Sequence, residues 1–230
     1  MSLAFHRITF AYDGTISSLM ENVTVHFPEG WTGVVGPNGA GKTTVLRLAA
    51  GDLQPQQGTI RRSEHIVSCP QRTDDAPEQL AQFICPTEAE ACVLRGKLQI
   101  GEGWADRWAT LSHGERKSTQ IAVALWRQPE VLLIDEPTNH IDVAARALLA
   151  LGVIRRPHLI IMDEPTNHLD LPAIESLEDA LRDCPCGLLL VSHDLLFLSQ
   201  ITDTRWHLQQ DGATVTMTTR STFNQESGQS

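Results

Sequence analysis

Gly36, Pro37, Asn38, Gly39, Ala40, Gly41, Lys42, Thr43 and Thr44 stand in a row, and this stretch restricts the fold more than any other. The pattern G-x-x-x-x-G-K-[ST] carries its chemistry only when a strand precedes it and a helix follows. Both are in place: Trp31–Val35 is a short apolar strand, and Val45, Leu46, Leu48 and Ala49 recur at helical spacing. The glycines let successive N–H groups turn inward around a phosphate, the helix presents its N-terminus, and Lys42 adds a point charge for the outer phosphate oxygens. Thr43 offers a hydroxyl to Mg²⁺. The loop implies an α/β fold, a mainly parallel sheet flanked by helices, and a nucleotide ligand of unspecified base.

The remaining elements follow from alternation, β-branching and turn residues. Leu3–Phe10 and Val23–Phe27 read as an N-terminal antiparallel ribbon, residues 52–62 as a turn and short strand, and Ile66–Cys69 as a strand. A short helical insert spans about 73–127, its last helix running from Ser112 to about Arg127 and ending before Pro129. Strand and helix then alternate to Val191, and Arg205–Gln209 and Ala213–Thr218 flank the hairpin signal Gln210-Asp211-Gly212. The expectation is one domain, 1–218, with a disordered Ser/Gln-rich tail, 219–230. One irregularity interrupts this order. Ile121–Asp142 aligns without a gap with Leu149–Asp170, 28 residues further on, so one βα unit, about 135–162, is present twice.

Composition narrows the partners. The 230 residues carry 18 Lys plus Arg against 28 Asp plus Glu, a formal charge of −10, so no overall positive field favours direct DNA binding. The longest apolar stretch, Leu148–Ile154, is far short of the roughly 20 residues of a transmembrane helix, and the N-terminus lacks a signal-peptide core. A cytoplasmic chain is expected, with its five cysteines reduced.

Three further signals surround the loop. The strands Val131–Ile134 and Leu159–Met162 run into Asp135-Glu136 and Asp163-Glu164. At such a strand end the Asp holds the Mg²⁺ shell and the Glu orients or deprotonates the attacking water. Gln71 follows a strand end, within an amide's reach of that ion or water, and Leu188–Val191 runs into His193, placed for a γ-phosphate. Ser112-His113-Gly114-Glu115 is a capping box whose serine and N–H groups form an anion site.

In this order the motifs resemble the ATP-binding-cassette (ABC) ATPases, and the twofold DEPTNH[IL]D is similar in particular to their F subfamily, whose members act on ribosomes rather than in membranes. The resemblance covers roughly residues 3–208. It implies that Tyr12 stacks on adenine, Gln71 is the Q-loop, Leu111–Glu115 the signature, Asn139–Asp142 and Asn167–Asp170 D-loops, and His193 the switch histidine. ATP and Mg²⁺ are the implied ligands, held at the metal by Thr43, Gln71 and Asp163 or Asp135. In the family the signature serves the ATP of a facing domain, so a homodimer, a second ABC cassette or a truncated two-cassette chain is implied. His113 departs from the family's glycine; it assists with a proton or crowds the site. The implied function is ATP hydrolysis coupled to remodelling of a client, the ribosome among them. The alternatives are the motor subunit of a membrane permease and a non-hydrolysing remnant.

The repeat leaves two candidate bases. The spacing from Leu111 to Asp135 suits the first copy and that from Asp163 to His193 the second. By resemblance the His193 strand lies between the P-loop strand and the Asp-Glu strand, and right-handed crossovers lay an extra strand in the same sheet. That favours Glu164 at the phosphates and shifts Glu136 by one strand, about 4.8 Å. The converse, with 143–170 bulging out and Glu136 catalytic, keeps the signature helix in place and stays open.

Overall fold

The structure, a computed structural model, describes residues 3–221 apart from 16, 28–29, 86–87, 137–156, 168, 183, 185 and 212–213. Its strands are β1 (Ala4–Phe10), β2 (Met20–His26), β3 (Trp31–Val35), β4 (Gln57–Arg61), β5 (Ile66–Cys69), β6 (Val131–Asp135), β7 (Leu159–Asp163), β8 (Gly187–Val191), β9 (Thr204–Asp211) and β10 (Thr214–Ser221). The helices are α1 (Lys42–Ala50), α2 (Leu80–Ile84), α3 (Ala89–Leu98), α4 (His113–Trp126), α5 (Leu171–Arg182) and α6 (Leu195–Ile201). Among the described residues, ten strands form one sheet, ordered β4-β1-β2-β10-β9-β3-β8-β7-β6-β5. The ribbon β1–β2 is antiparallel and joins the sheet through β10, while β9, β3, β8, β7, β6 and β5 run parallel.

The central strands β6, β7 and β8 are apolar up to their last residues because both of their faces are covered. Alternate residues divide between the two sides. Leu132, Ile134, Ile160, Met162, Leu188 and Leu190 pack in a core with α4, α5, α6 and the insert's Trp104 and Trp108. Val131, Leu133, Ile161, Leu189 and Val191 face α1 and the ribbon. In β7, Ile160, Ile161 and Met162 are each fully buried, and at roughly 1.5–3 kcal/mol per such side chain this strand is an integral part of the sheet. Leu159–Asp163 is therefore not part of a bulge: it pairs in register with β6 on one side and β8 on the other.

Two expectations need correction. β10 continues to Ser221, so Thr219 belongs to a strand; its pairing with β9, Thr219 opposite Trp206, outweighs the polar composition that suggested a tail. Cys184 and Cys186 are joined by a disulfide, their Cα atoms 5.5 Å apart. The turn between α5 and β8 brings them to a separation that suits this bond. Cys69, Cys85 and Cys92 take part in no disulfide. The stretch linking the two Asp-Glu strands, with the first D-loop Asn139–Asp142, lies outside the described residues, as does 222–230.

Candidate nucleotide site

The loop after β3 curls because its glycines allow it. Gly41, at the N-cap of α1, has φ of +83°, a left-handed conformation that side chains disfavour. A Cβ on Gly36 would meet the Leu208 carbonyl oxygen at 2.8 Å, so β9 leaves no room there. Lys42 reaches the centre of the curl, donating to the Gly36 and Pro37 carbonyls at 3.0 and 3.2 Å, with Nζ 3.1 Å from His193 Nε2. Burial holds its pKa below the usual lysine range, against the upward pull of Glu164 and Asp163. Tyr12, half-exposed, shares a hydrogen bond of 2.9 Å with the Thr44 hydroxyl. The cleft so formed has a volume of about 840 Å³, and its lining includes Tyr12, Asn38, Gly39, Gly41, Lys42, Thr43, Thr44, Gln71, Asp135, Glu136, Asp163, Glu164 and His193.

The two Asp-Glu pairs repeat one backbone geometry, one strand apart. Glu136 and Glu164 both have positive φ, 39° and 48°, strained for residues of this type. The N–H of Glu164 donates to Val191 at the end of β8, and that of Glu136 to Asp163 at the end of β7. The two glutamates thus share a left-handed backbone conformation but face different neighbours. Glu164 accepts from the His193 N–H at 3.2 Å and lies 3.3 Å from its Nε2, which joins Glu164, His193 and Lys42 in one cluster. Glu136 instead accepts a short hydrogen bond from the Gln71 amide.

Asp163 lies beneath this cluster. Burial, helped by the charges of Asp135, Glu164 and Glu136, raises its pKa to about 6, against a hydrogen bond from Thr43. Its Oδ1 is buried without a hydrogen-bond partner. Among the described residues no group of three or more His, Cys, Asp or Glu side chains is disposed to hold an ion unaided. Thr43 and Asp163 suit Mg²⁺ that takes the rest of its ligands from phosphate and water. Asp135 pairs in register with Asp163, one strand further from Lys42.

The capping box forms as its spacing demands. Ser112 Oγ accepts from the Glu115 N–H, and the Glu115 carboxylate accepts from both the N–H and hydroxyl of Ser112. Those bonds hold the Glu115 carboxyl below its usual range. His113 Nδ1 pairs with the Thr73 hydroxyl at 2.9 Å, and Gly114 is buried. Ser112, His113, Gly114 and Glu115 do not line the cleft. Sequence reading brought Gln71 to the cleft but not to its partner Glu136, and it missed Thr73 and Lys117. Lys117 had a legible signal: it lies one turn beyond His113 and one before Ile121 on the stripe of α4 that faces the core.

The chain is similar to known ATP-binding proteins. The ABC transporter family profile matches residues 20–139. The ABC transporter ATP-binding protein ARB1 of Saccharomyces cerevisiae is 31% identical over 232 residues, 89% of this chain and 33% of its own length. The ATP-binding cassette sub-family F member 2 of Bos taurus is 30% identical over 186 residues, 75% of this chain and 25% of its own. The chain thus spans a third or less of these two relatives. The zinc import ATP-binding protein ZnuC of Paramagnetospirillum magneticum is 32% identical over 181 residues, 74% of this chain and 60% of its own. An ATP-binding subunit of an ABC transporter has the same fold, with a TM-score of 0.58 at 19% identity over 96% of this chain and 90% of that one. Among the described residues no helix is long and apolar enough to cross a membrane. With the phosphate loop, the capping box and the paired carboxylates following one another in that order along the chain, the chain belongs to the ABC family of ATP-binding domains and resembles its F subfamily.

Proposed function

We propose that the chain binds Mg·ATP in the cleft above β3 and hydrolyses it, with Glu164 as the base, His193 beside the γ-phosphate and Lys42 on the phosphate oxygens. The observation that carries this reading is the Glu164–His193–Lys42 cluster, joined by contacts of 3.1–3.3 Å. Glu164 takes a proton from water, and the loop N–H groups and Lys42 hold the charge that develops on phosphate. Thr43 and Asp163 hold Mg²⁺, which when bound neutralises charge on the phosphate oxygens. Tyr12, exposed at the rim, is positioned for the base of the nucleotide. Ser112 lies away from this cleft, which supports pairing with a second copy or another cassette whose nucleotide it serves. Leu171, Leu195 and Leu196, at the starts of α5 and α6, are exposed and offer apolar surface for that contact. The resemblance to the F subfamily supports a cytoplasmic site of action on a client such as the ribosome, and the likeness to a zinc import ATP-binding protein supports work beside a membrane permease as the alternative.

One observation favours a second reading, a cassette that binds ATP without hydrolysing it. Gln71 and α4 are grouped with β6, one strand from Glu164, so no single copy of the repeat gathers every motif. Phosphate release by the purified protein with Mg·ATP decides: turnover that Lys42→Ala removes supports the enzyme, and nucleotide binding without turnover supports the second reading. Light scattering on Glu164→Gln tests the pairing. Growth of a dimer on adding ATP is expected, and a monomer with and without ATP at tens of micromolar refutes self-association.

A further inference from the structure

Lys117 is a buried ammonium, 5% exposed, in the middle of α4. Burying a charge is costly unless its donors are used. Here Nζ donates to the Pro70 carbonyl at 2.8 Å and to the Asp135 carbonyl at 2.9 Å. These oxygens end neighbouring parallel strands, Pro70 following β5 and Asp135 closing β6. Burial lowers the lysine's pKa, while Cys69, Asp135 and Glu136 pull it back up. One turn to either side on the same helix stripe, His113 pairs with Thr73 and Gln120 donates to the Arg72 carbonyl at 2.9 Å. The stripe therefore grips residues 70, 72 and 73. Gln71, between them, turns into the cleft.

We propose that Lys117 is a positioning residue that aims Gln71 into the nucleotide cleft, by fixing the ends of β5 and β6 to the helix that opens at Ser112. The proposal deepens the hydrolysis reading and rests on it for its kinetic effect. Lys117 does not line the cleft. It sets where the Gln71 amide stands relative to the carboxylates, and it makes the signature helix and the Gln71 segment move together.

The test compares Lys117→Met, Lys117→Arg, Gln71→Ala and the double variant Lys117→Met/Gln71→Ala in ATP turnover. Methionine keeps the length and removes the donors, so the expected result is kcat about tenfold lower with KM within about twofold. The double variant should be no slower than Gln71→Ala alone, because both changes act through one amide. Arginine should recover part of the loss. Thermal melts separate a folding role: Lys117→Met leaves the Pro70 and Asp135 carbonyls without this donor, so some fall in melting temperature is expected, and turnover is therefore measured well below every variant's transition, where the loss of kcat should persist in fully folded protein. Turnover of Lys117→Met at the wild-type rate overturns the proposal, as do additive losses in the double variant or a loss of kcat that follows the melting temperature. If the wild type itself shows no turnover, the hydrolysis reading fails separately, and amide exchange at residues 71–73 decides on Lys117. Exchange about tenfold faster in Lys117→Met, with the 36–44 loop unchanged, upholds the positioning role; equal exchange overturns it.

Discussion

Replacing Glu164 by Gln and, separately, Glu136 by Gln divides the labour between the two carboxylate pairs. Each change keeps the side-chain shape and an acceptor oxygen and removes the base. A general base must lie within about 2.6–3.2 Å of the atom it deprotonates. Glu164 stands 3.3 Å from His193. Glu136 follows β6, two strands from β8, a distance of about 10 Å. A water held beside His193 is therefore out of its reach. Losing a positioned base costs on the order of 10²–10⁴ in rate, so Glu164→Gln is expected to lower kcat by at least about 100-fold. Glu136→Gln acts through charge alone. A carboxylate about 10 Å from a phosphate charge repels it by about 0.4 kcal/mol in water-like surroundings and about 1.7 kcal/mol at an effective dielectric of about 20. Removing that repulsion should tighten ATP binding by roughly 2- to 20-fold and leave most of the turnover. Steady-state phosphate release and titration with a fluorescent ATP analogue measure both effects. Loss confined to Glu136→Gln would refute the reasoning and give the chemistry to the first copy. Equal loss in both, with equal falls in melting temperature, would mean that the repeat acts through folding.

Lys42→Ala removes a charge-assisted phosphate contact of roughly 1.5–3 kcal/mol; calorimetry is expected to show ATP binding at least tenfold weaker, and equal affinity would rule the cleft out. Ser112→Ala should destabilise the protein by about 0.5–2 kcal/mol at neutral pH through loss of the α4 cap. Because Ser112 holds the Glu115 carboxyl below its usual range, that ion's share of the cap is full above the ordinary glutamate pKa and is lost as pH falls through the lowered one. The gap between variant and wild type in melts should thus narrow below about pH 4, and a gap that widens there would count against the cap. Alkylation of the denatured, unreduced protein should tag Cys69, Cys85 and Cys92 and spare Cys184 and Cys186; tags on all five would refute the pairing.

The phosphate loop was legible because everything it needs is local: glycine at the positive φ of Gly41, a five-residue strand before it and a helical stripe after it. The same holds for Ser112 and Glu115, three residues apart. Two identical DEPTNH segments give no local reason to prefer one, and the distinction between Glu164 and Glu136 emerges only from pairing across the sheet, where β7 meets β8. The contacts of Lys117 with Pro70, and of His113 with Thr73, span 47 and 40 residues; no periodicity within α4 reveals what its stripe will touch. Thr219 was misread for a similar reason, since its polar neighbours hide a ladder partner in β9.

The added strand also changes the gauge of the molecule. Lys42 and Glu164 sit on one side of β6, whereas Gln71 and Ser112 are carried on the far side by β5 and α4. The interval between the nucleotide cleft and the serine end of α4 is widened by one sheet spacing, about 4.8 Å, relative to a cassette with a single Asp-Glu strand. Two domains that face each other, each lending its serine to the other's cleft, must match in this interval as two halves of a mould must. Copies of this chain match one another, and a partner with the narrower gauge meets it one strand out of step. Under the proposed pairing, the duplicated strand would sort partners by width, before any side chain on the facing surfaces is compared.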